Sequence, residues 1–98
     1  MITSKQRAYL RAMANTMETI LIVGKGGISA EVIKQADDAL TAREIFKGKV
    51  LETAEENVHE IATFLAEKTH ADIVQIIGTK FVLYRKSNKN PKIILPKK

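Results

Sequence analysis

The residues with most chemical promise in this chain are four consecutive ones, Gly24-Lys25-Gly26-Gly27. Without Cβ atoms, such a backbone can come close to a phosphate and turn its N–H groups outward. A helix starting just after it would add the positive end of its dipole. Lys25 puts a cation at the tip. The run is not a Walker A loop, which needs GxxxxGKS or GxxxxGKT, and it lacks the G-x-G-x-x-G dinucleotide fingerprint. It is G-x-x-G between a predicted strand and a predicted helix, the arrangement with which KH domains clamp a nucleic-acid backbone. The competing reading is a tight turn that needs positive φ.

Other groupings point away from catalysis. The chain has no cysteine, which excludes disulfides, thiolate metal sites and cysteine nucleophiles. His59 and His70 fall on a helix surface and in the turn before the third strand, with no nucleophile motif beside either. Glu52, Glu55, Glu56 and Glu60 could be a metal or acid–base cluster, but a helix N-terminus and a solvated face explain them better. No enzyme activity, metal, cofactor or small-molecule substrate is expected.

Charge supports a polyanionic partner. The chain of 98 residues carries 16 basic and 11 acidic side chains, a net +5. Residues 1–30 sum to +3, residues 31–72 to −5 and residues 73–98 to +7. A fold that gathers the two basic ends on one side would present a positive surface. Ile20 to Val23 is strand-sized, and no apolar run approaches the ~20 residues of a membrane span. The first residues have no apolar core of the kind a secretory signal needs, so cytoplasmic residence is expected.

The elements that must position the loop follow from periodicity. Thr3-Ser4-Lys5-Gln6 has the form of a capping box, and Leu10, Met13, Ala14 and Met17 make one helical stripe. Arg7 and Arg11 share another face of that helix. Thr19 to Val23 reads as a strand. Ser29 reads as the N-cap of a helix to about Ala42, with Ile28 and Ile33 placed as a hydrophobic staple. Ile45 to Leu51 is a second strand, with Phe46 and Val50 on one face and Lys47 and Lys49 on the other. Gly48 marks a bulge or a close backbone approach.

Thr53-Ala54-Glu55-Glu56 reads as the capping box of a third helix with the stripe Val58, Ile61, Ala62 and Leu65. Ile73 to Ile77 and Phe81 to Arg85 make a hairpin around a three-residue loop, Gly78-Thr79-Lys80. Ser87 to Pro91 is linker-like, and Lys92 to Leu95 could add an edge strand before Pro96. The order α-β-α-β-α-β-β predicts an α/β fold, a two-layer α/β sandwich with a mixed four-stranded sheet. Residues 1–98 form one domain, with the last two or three as a basic tail.

As a whole the sequence resembles the CRM domain family (chloroplast RNA splicing and ribosome maturation), in its stand-alone bacterial, YhbY-like form. The resemblance spans about residues 3–96. It is carried by Ser4-Lys5-Gln6-Arg7 with Leu10-Arg11, Val23-Gly24-Lys25-Gly26-Gly27-Ile28, Ala39-Leu40, and Ala42-Arg43-Glu44. It continues through Ile73-Val74-Gln75-Ile76-Ile77-Gly78, Val82-Leu83-Tyr84-Arg85 and Ile94-Leu95-Pro96. Gly48, and His70 before Ala71 where many relatives have glycine, depart from the family pattern.

The resemblance implies a fold similar to the carboxyl-terminal domain of bacterial translation initiation factor three. It implies RNA binding through the GxxG loop and nearby basic side chains, and association with ribosomal RNA in precursors of the large subunit. The expected RNA contacts are Gly24, Lys25, Gly26 and Gly27, with Arg7, Arg11, Lys47, Lys49, Lys80, Arg85 and Lys86 as electrostatic partners. The acids of the third helix, Glu55, Glu56 and Glu60, are expected to face away from the RNA. Few aromatic residues, 5% of the chain, favour reading of shape and backbone. The rival functions are binding to another structured RNA such as an intron, a small nuclease, and a protein-interaction module with an acidic partner.

Overall fold

The computed structural model describes residues 2–88 and 91–97. Lys89 and Asn90 of the expected linker, and Lys98 of the expected basic tail, lie outside the described residues. The elements are α1 (Ser4–Ala14), β1 (Thr19–Val23), α2 (Ala30–Arg43), β2 (Ile45–Val50), α3 (Val58–Thr69), β3 (Asp72–Ile77) and β4 (Lys80–Tyr84). The four strands form one mixed sheet in the order β1-β2-β4-β3. Strand β1 runs parallel to β2, while β4 is antiparallel to both β2 and β3. Thus α2 and α3 are crossover helices, and β4 is inserted between the two strands that α3 connects.

Alternation along the strands sends two sets of side chains to opposite faces. Leu21, Val23, Phe46, Val50, Phe81 and Leu83 meet Ala36 and Leu40 of α2 and Ile61, Ala62 and Leu65 of α3 in the larger core. This is the α/β sandwich that the periodicity predicts. On the second face Ile45, Val74, Val82 and Tyr84 meet Leu10 and Ala14 of α1. From Arg7, against the carbonyl of Ile73, to Met17, beside Ile20 and Ile45, the chain crosses this face at one end.

Local signals explain most boundaries. Thr3 and Gln6 form the capping box of α1, and the Ser29 hydroxyl caps α2 by accepting from Val32 N. Gly48 is where Phe81 approaches: a Cβ there would lie 2.3 Å from Phe81 Cζ. The two residues are cross-strand partners in an uninterrupted β2–β4 register, while on the other side the β1–β2 register shifts opposite Lys47 and Gly48, with the extra residue in β1. The Phe81 ring packs edge-on to Phe46 with centroids 6.1 Å apart. His70 caps α3 in the left-handed region (φ 58°), the conformation glycine adopts at no steric cost.

Three expectations are corrected. Helix α3 is capped by Asn57, not Thr53, and Asn57 with Glu60 makes the capping box, so Glu55 and Glu56 precede the helix. The hairpin loop has two residues, Gly78-Thr79, because Lys80 pairs with both Ile77 and Lys49. Gly78 has φ of 59° while Thr79 is not in the left-handed region, as in a type II′ turn. Residues 92–95 form no strand. The backbone N–H groups of Lys92 and Ile93 that a ladder would use donate instead to the carboxylate of Glu44.

Glu44 ties the carboxyl-terminal segment down. It is buried, with 1% of its surface exposed, and sits in the left-handed region (φ 65°) at the end of α2. Its carboxylate accepts from Ser87 N at 2.7 Å, from Ile93 N at 2.8 Å, and from Lys92 N. Burial alone would raise its pKa, but these N–H groups together with the charge of Lys86 outweigh it and hold the carboxyl below its ordinary value.

Candidate nucleic-acid interface

The glycine loop sits where β1 ends beside β2. Val23 pairs with Val50, and Leu51 N donates to Val23 O at 2.8 Å. The chain then turns through Gly24 to Gly27, closed by a 2.8 Å hydrogen bond from Gly27 N to Gly24 O. Ile28, Ser29 and the first turn of α2 follow, which aims that helix's positive end towards the loop.

The glycines have different reasons to be glycine. Gly27 has φ of 60°, and a Cβ on it would lie 2.8 Å from Glu56 Oε1, so the fold itself demands it. A Cβ on Gly24 would press on Leu51 Cδ1 at 3.3 Å. Gly26 is different: its φ is not positive, and a Cβ there would meet nothing within 4 Å. It is exposed beside exposed Lys25 at the apex of the turn. Nothing within the fold explains that glycine.

Around the loop the sheet separates charge. Gly48 faces Phe81, so Lys47 and Lys49 point to the second face, as does Lys80 next to Phe81 in β4. Arg7 and Arg11 ride on α1 over that same face; Arg11 is exposed, and Arg7 Nε donates to Ile73 O at 3.3 Å. Glu31, Asp37, Asp38, Glu60 and Glu67 belong to α2 and α3 on the opposite side. Glu52, Glu55 and Glu56, however, line a small hollow with Leu51 and Thr79 at the loop's own end of the sheet. Glu56 Oε1 is buried against Gly27 with no hydrogen-bond partner among the described residues. Of the acids expected to face away from the RNA, Glu56 thus lies against Gly27 of the loop itself. The loop stands on a boundary, with lysines on one side and carboxylates on the other.

Arg85 and Lys86 follow β4 at the far end of the sheet, because β4 runs against β1 and β2. Arg85 is fully engaged: its guanidinium donates to the Asp37 carboxylate at 2.6 Å, Thr69 O at 2.8 Å and Thr41 Oγ1 at 2.9 Å. It clamps the end of β4 to α2 and α3, and the structure does not group it with the loop. Among the described residues Lys25, Lys47, Lys49 and Lys80 make no ion pair. None of the described residues form a group of three or more His, Asp or Glu placed to hold a metal ion, and no described helix is long and apolar enough to cross a membrane. Sequence reasoning missed Glu44 and the apolar neighbours of the lysines, Ile22 and Ile77. Neither had a local signal, since burial and cross-strand register are set by distant partners.

The fold is a four-stranded α/β sandwich with a strand–GxxG–helix turn, beside lysines that make no ion pair among the described residues. The chain belongs to the CRS1/YhbY (CRM) domain family, whose model matches residues 2–85. It is 42% identical over 96 residues to "Probable RNA-binding protein YqeI" of Bacillus subtilis (strain 168), covering 98% of this chain and 100% of that protein. A protein of Haemophilus influenzae named "RNA-binding protein" is 32% identical, with 99% and 97% of the two chains covered. The solution structure of SAV1595 from Staphylococcus aureus is similar with a TM-score of 0.81 and 44% identity, over 98% of this chain and 100% of that one.

Proposed function

We propose that this chain is a non-catalytic RNA-binding protein that grips an RNA backbone at Gly24–Gly27, and that it assists assembly of the large ribosomal subunit in the cytoplasm. The observation that carries the reading is Gly26, a glycine without steric or conformational need in the fold, at the exposed tip beside Lys25. A phosphate can approach that backbone closely, receive its N–H groups, and lie near the positive end of α2. Lys25, Lys47, Lys49 and Lys80 supply cations that no carboxylate of the described residues neutralises. The names of the relatives support RNA as the partner. The ribosomal RNA of a large-subunit precursor follows from the family resemblance.

Lys25→Glu tests the reading. Lys25 is exposed and outside any described ion pair, so the variant should unfold at the wild-type temperature. Its RNA affinity should fall, with a salt dependence shallower by up to ~1 unit of slope. Unchanged affinity and slope would remove Lys25 from the site. Gradient sedimentation of cell extract tests the finer part: the protein should travel with immature large subunits, and its absence from them would overturn the assembly role.

A further inference from the structure

Four residues cross the whole sheet in one row: Ile22 on β1 pairs with Lys49 on β2, Lys49 with Lys80 on β4, and Lys80 with Ile77 on β3. Direct pairing puts all four side chains on the second face. Helix α1 crosses that face at the other end and leaves this row uncovered: Ile22 is 58% exposed and Ile77 63%. Two features of the row are unfavourable for an isolated domain. Like charges directly opposite one another destabilise a sheet, and Lys49 and Lys80 are such a pair. Neither has an acidic partner among the described residues. Exposed isoleucines flank them where α1 could have extended. A ligand that is anionic at some points and apolar at others relieves both.

We propose that this row is a second RNA subsite, a platform for unpaired nucleotides that continue from the backbone held at the glycine loop; it rests on the RNA-binding reading above. Continuity supports the path: Leu51, exposed, follows β2 directly and touches the position of a Gly24 Cβ, which links loop and row. Charge favours the row as the continuation, because Lys49 and Lys80 have no acidic partner among the described residues, whereas Glu52, Glu55 and Glu56 gather in the hollow beyond Leu51 and Thr79. The row suits unpaired rather than duplex RNA. Base faces are buried in a duplex, which leaves phosphates and edges outside, and aliphatic side chains gain nothing from those. Unstacked bases expose an apolar face that isoleucine can cover, while lysines on the same row meet the phosphates. Adjacent strands lie roughly 4.8 Å apart, so the row spans about 14 Å, room for about two nucleotides.

The test uses the full chain and two RNAs, a hairpin and the same hairpin with a single-stranded extension, followed by fluorescence anisotropy. Wild type should bind the extended RNA about tenfold more tightly. Ile22→Thr with Ile77→Thr, which keeps β-branching and hence the strands, should abolish that gain and bind the plain hairpin as wild type does. Lys49→Gln with Lys80→Gln should flatten the salt dependence on extended RNA by about 1.4 units of slope. The proposal falls if the extension brings wild type no gain, or if the isoleucine double variant keeps it. It also falls if that variant keeps the gain yet no longer sediments with ribosomal particles, since the occupant would then be a protein. Wild type binding neither RNA would refute the RNA-binding reading itself.

Discussion

Two neighbouring glycines should respond to the same substitution in opposite ways. Gly26→Ala adds a methyl group into open space at a residue whose φ is not left-handed. The folded state should tolerate it, and the unfolded chain loses freedom, so stability should rise by about 0.4–1 kcal/mol. Gly27→Ala places a Cβ at φ of 60° and 2.8 Å from Glu56 Oε1. The left-handed conformation costs alanine about 1–2 kcal/mol, and the flexible Glu56 side chain must move as well. For a domain of this size each kcal/mol shifts Tm by about 4–8 °C. Calorimetry should therefore show Gly26→Ala melting a few degrees above wild type and Gly27→Ala about 5–15 °C below it.

RNA affinity should break this parallel. The Gly26→Ala methyl stands where a phosphate would approach, and loss of one charge-assisted hydrogen bond, about 1.5–3 kcal/mol, weakens binding roughly ten- to hundredfold. A Gly26→Ala variant that is more stable and binds RNA as tightly as wild type would refute the argument, because the one glycine without a structural reason would then have no functional one either.

Glu44→Gln should be costly, since a carboxamide offers one oxygen to three N–H donors; a loss of about 2–4 kcal/mol is expected, with faster hydrogen exchange at Lys92 and Ile93. Because the folded state lowers the Glu44 pKa, its contribution is present above the unfolded value of 4.5 and fades as pH falls through the lower folded value. Acid titration of stability should be steeper in wild type than in Glu44→Gln, and equal slopes would contradict this. Gly48→Ala should cost about 1–3 kcal/mol through its clash with Phe81, and Phe81→Leu should make the second substitution milder, which a double-mutant cycle reads directly. Arg85→Met should lower Tm by loosening β4 from Asp37 and Thr69 while the salt slope of RNA binding stays put; a fall of about 0.7 or more would return Arg85 to the RNA surface.

Much of the fold was legible because it is written in short-range terms. Thr3 with Gln6 and Ser29 are caps whose partners lie within one turn, and apolar periodicity placed α1, α2 and every strand. Where two local solutions competed, the wrong one could be chosen. Thr53 and Asn57 each precede a glutamate by three residues, and the stripe beginning at Val58 was the signal that favours Asn57. The hairpin loop depended on whether Lys80 joins β4, which cross-strand register decides. The glycine loop was visible as a motif, but the distinction between Gly26 and Gly27 was not, because it depends on Glu56 coming from the α3 side. Arg85 showed in sequence only as a cation; its partners lie 16 to 48 residues away.

The insertion of β4 between β2 and β3 bears on how the chain is made. Synthesis runs from the amino end, so β1, α2, β2, α3 and β3 all exist before the strand that must lie in their middle. Until residues 80–84 arrive, β2 offers a long unpaired edge rich in Ile, Phe and Val, a template for mispairing. Lys47 and Lys49 on that edge supply the charge that discourages association between nascent copies. Glu44, too, waits without its donors until residues 87–93 follow. Folding of this sheet is thus deferred until residues 80–84 are made, and the lysines set beside the loop guard the strand during that wait.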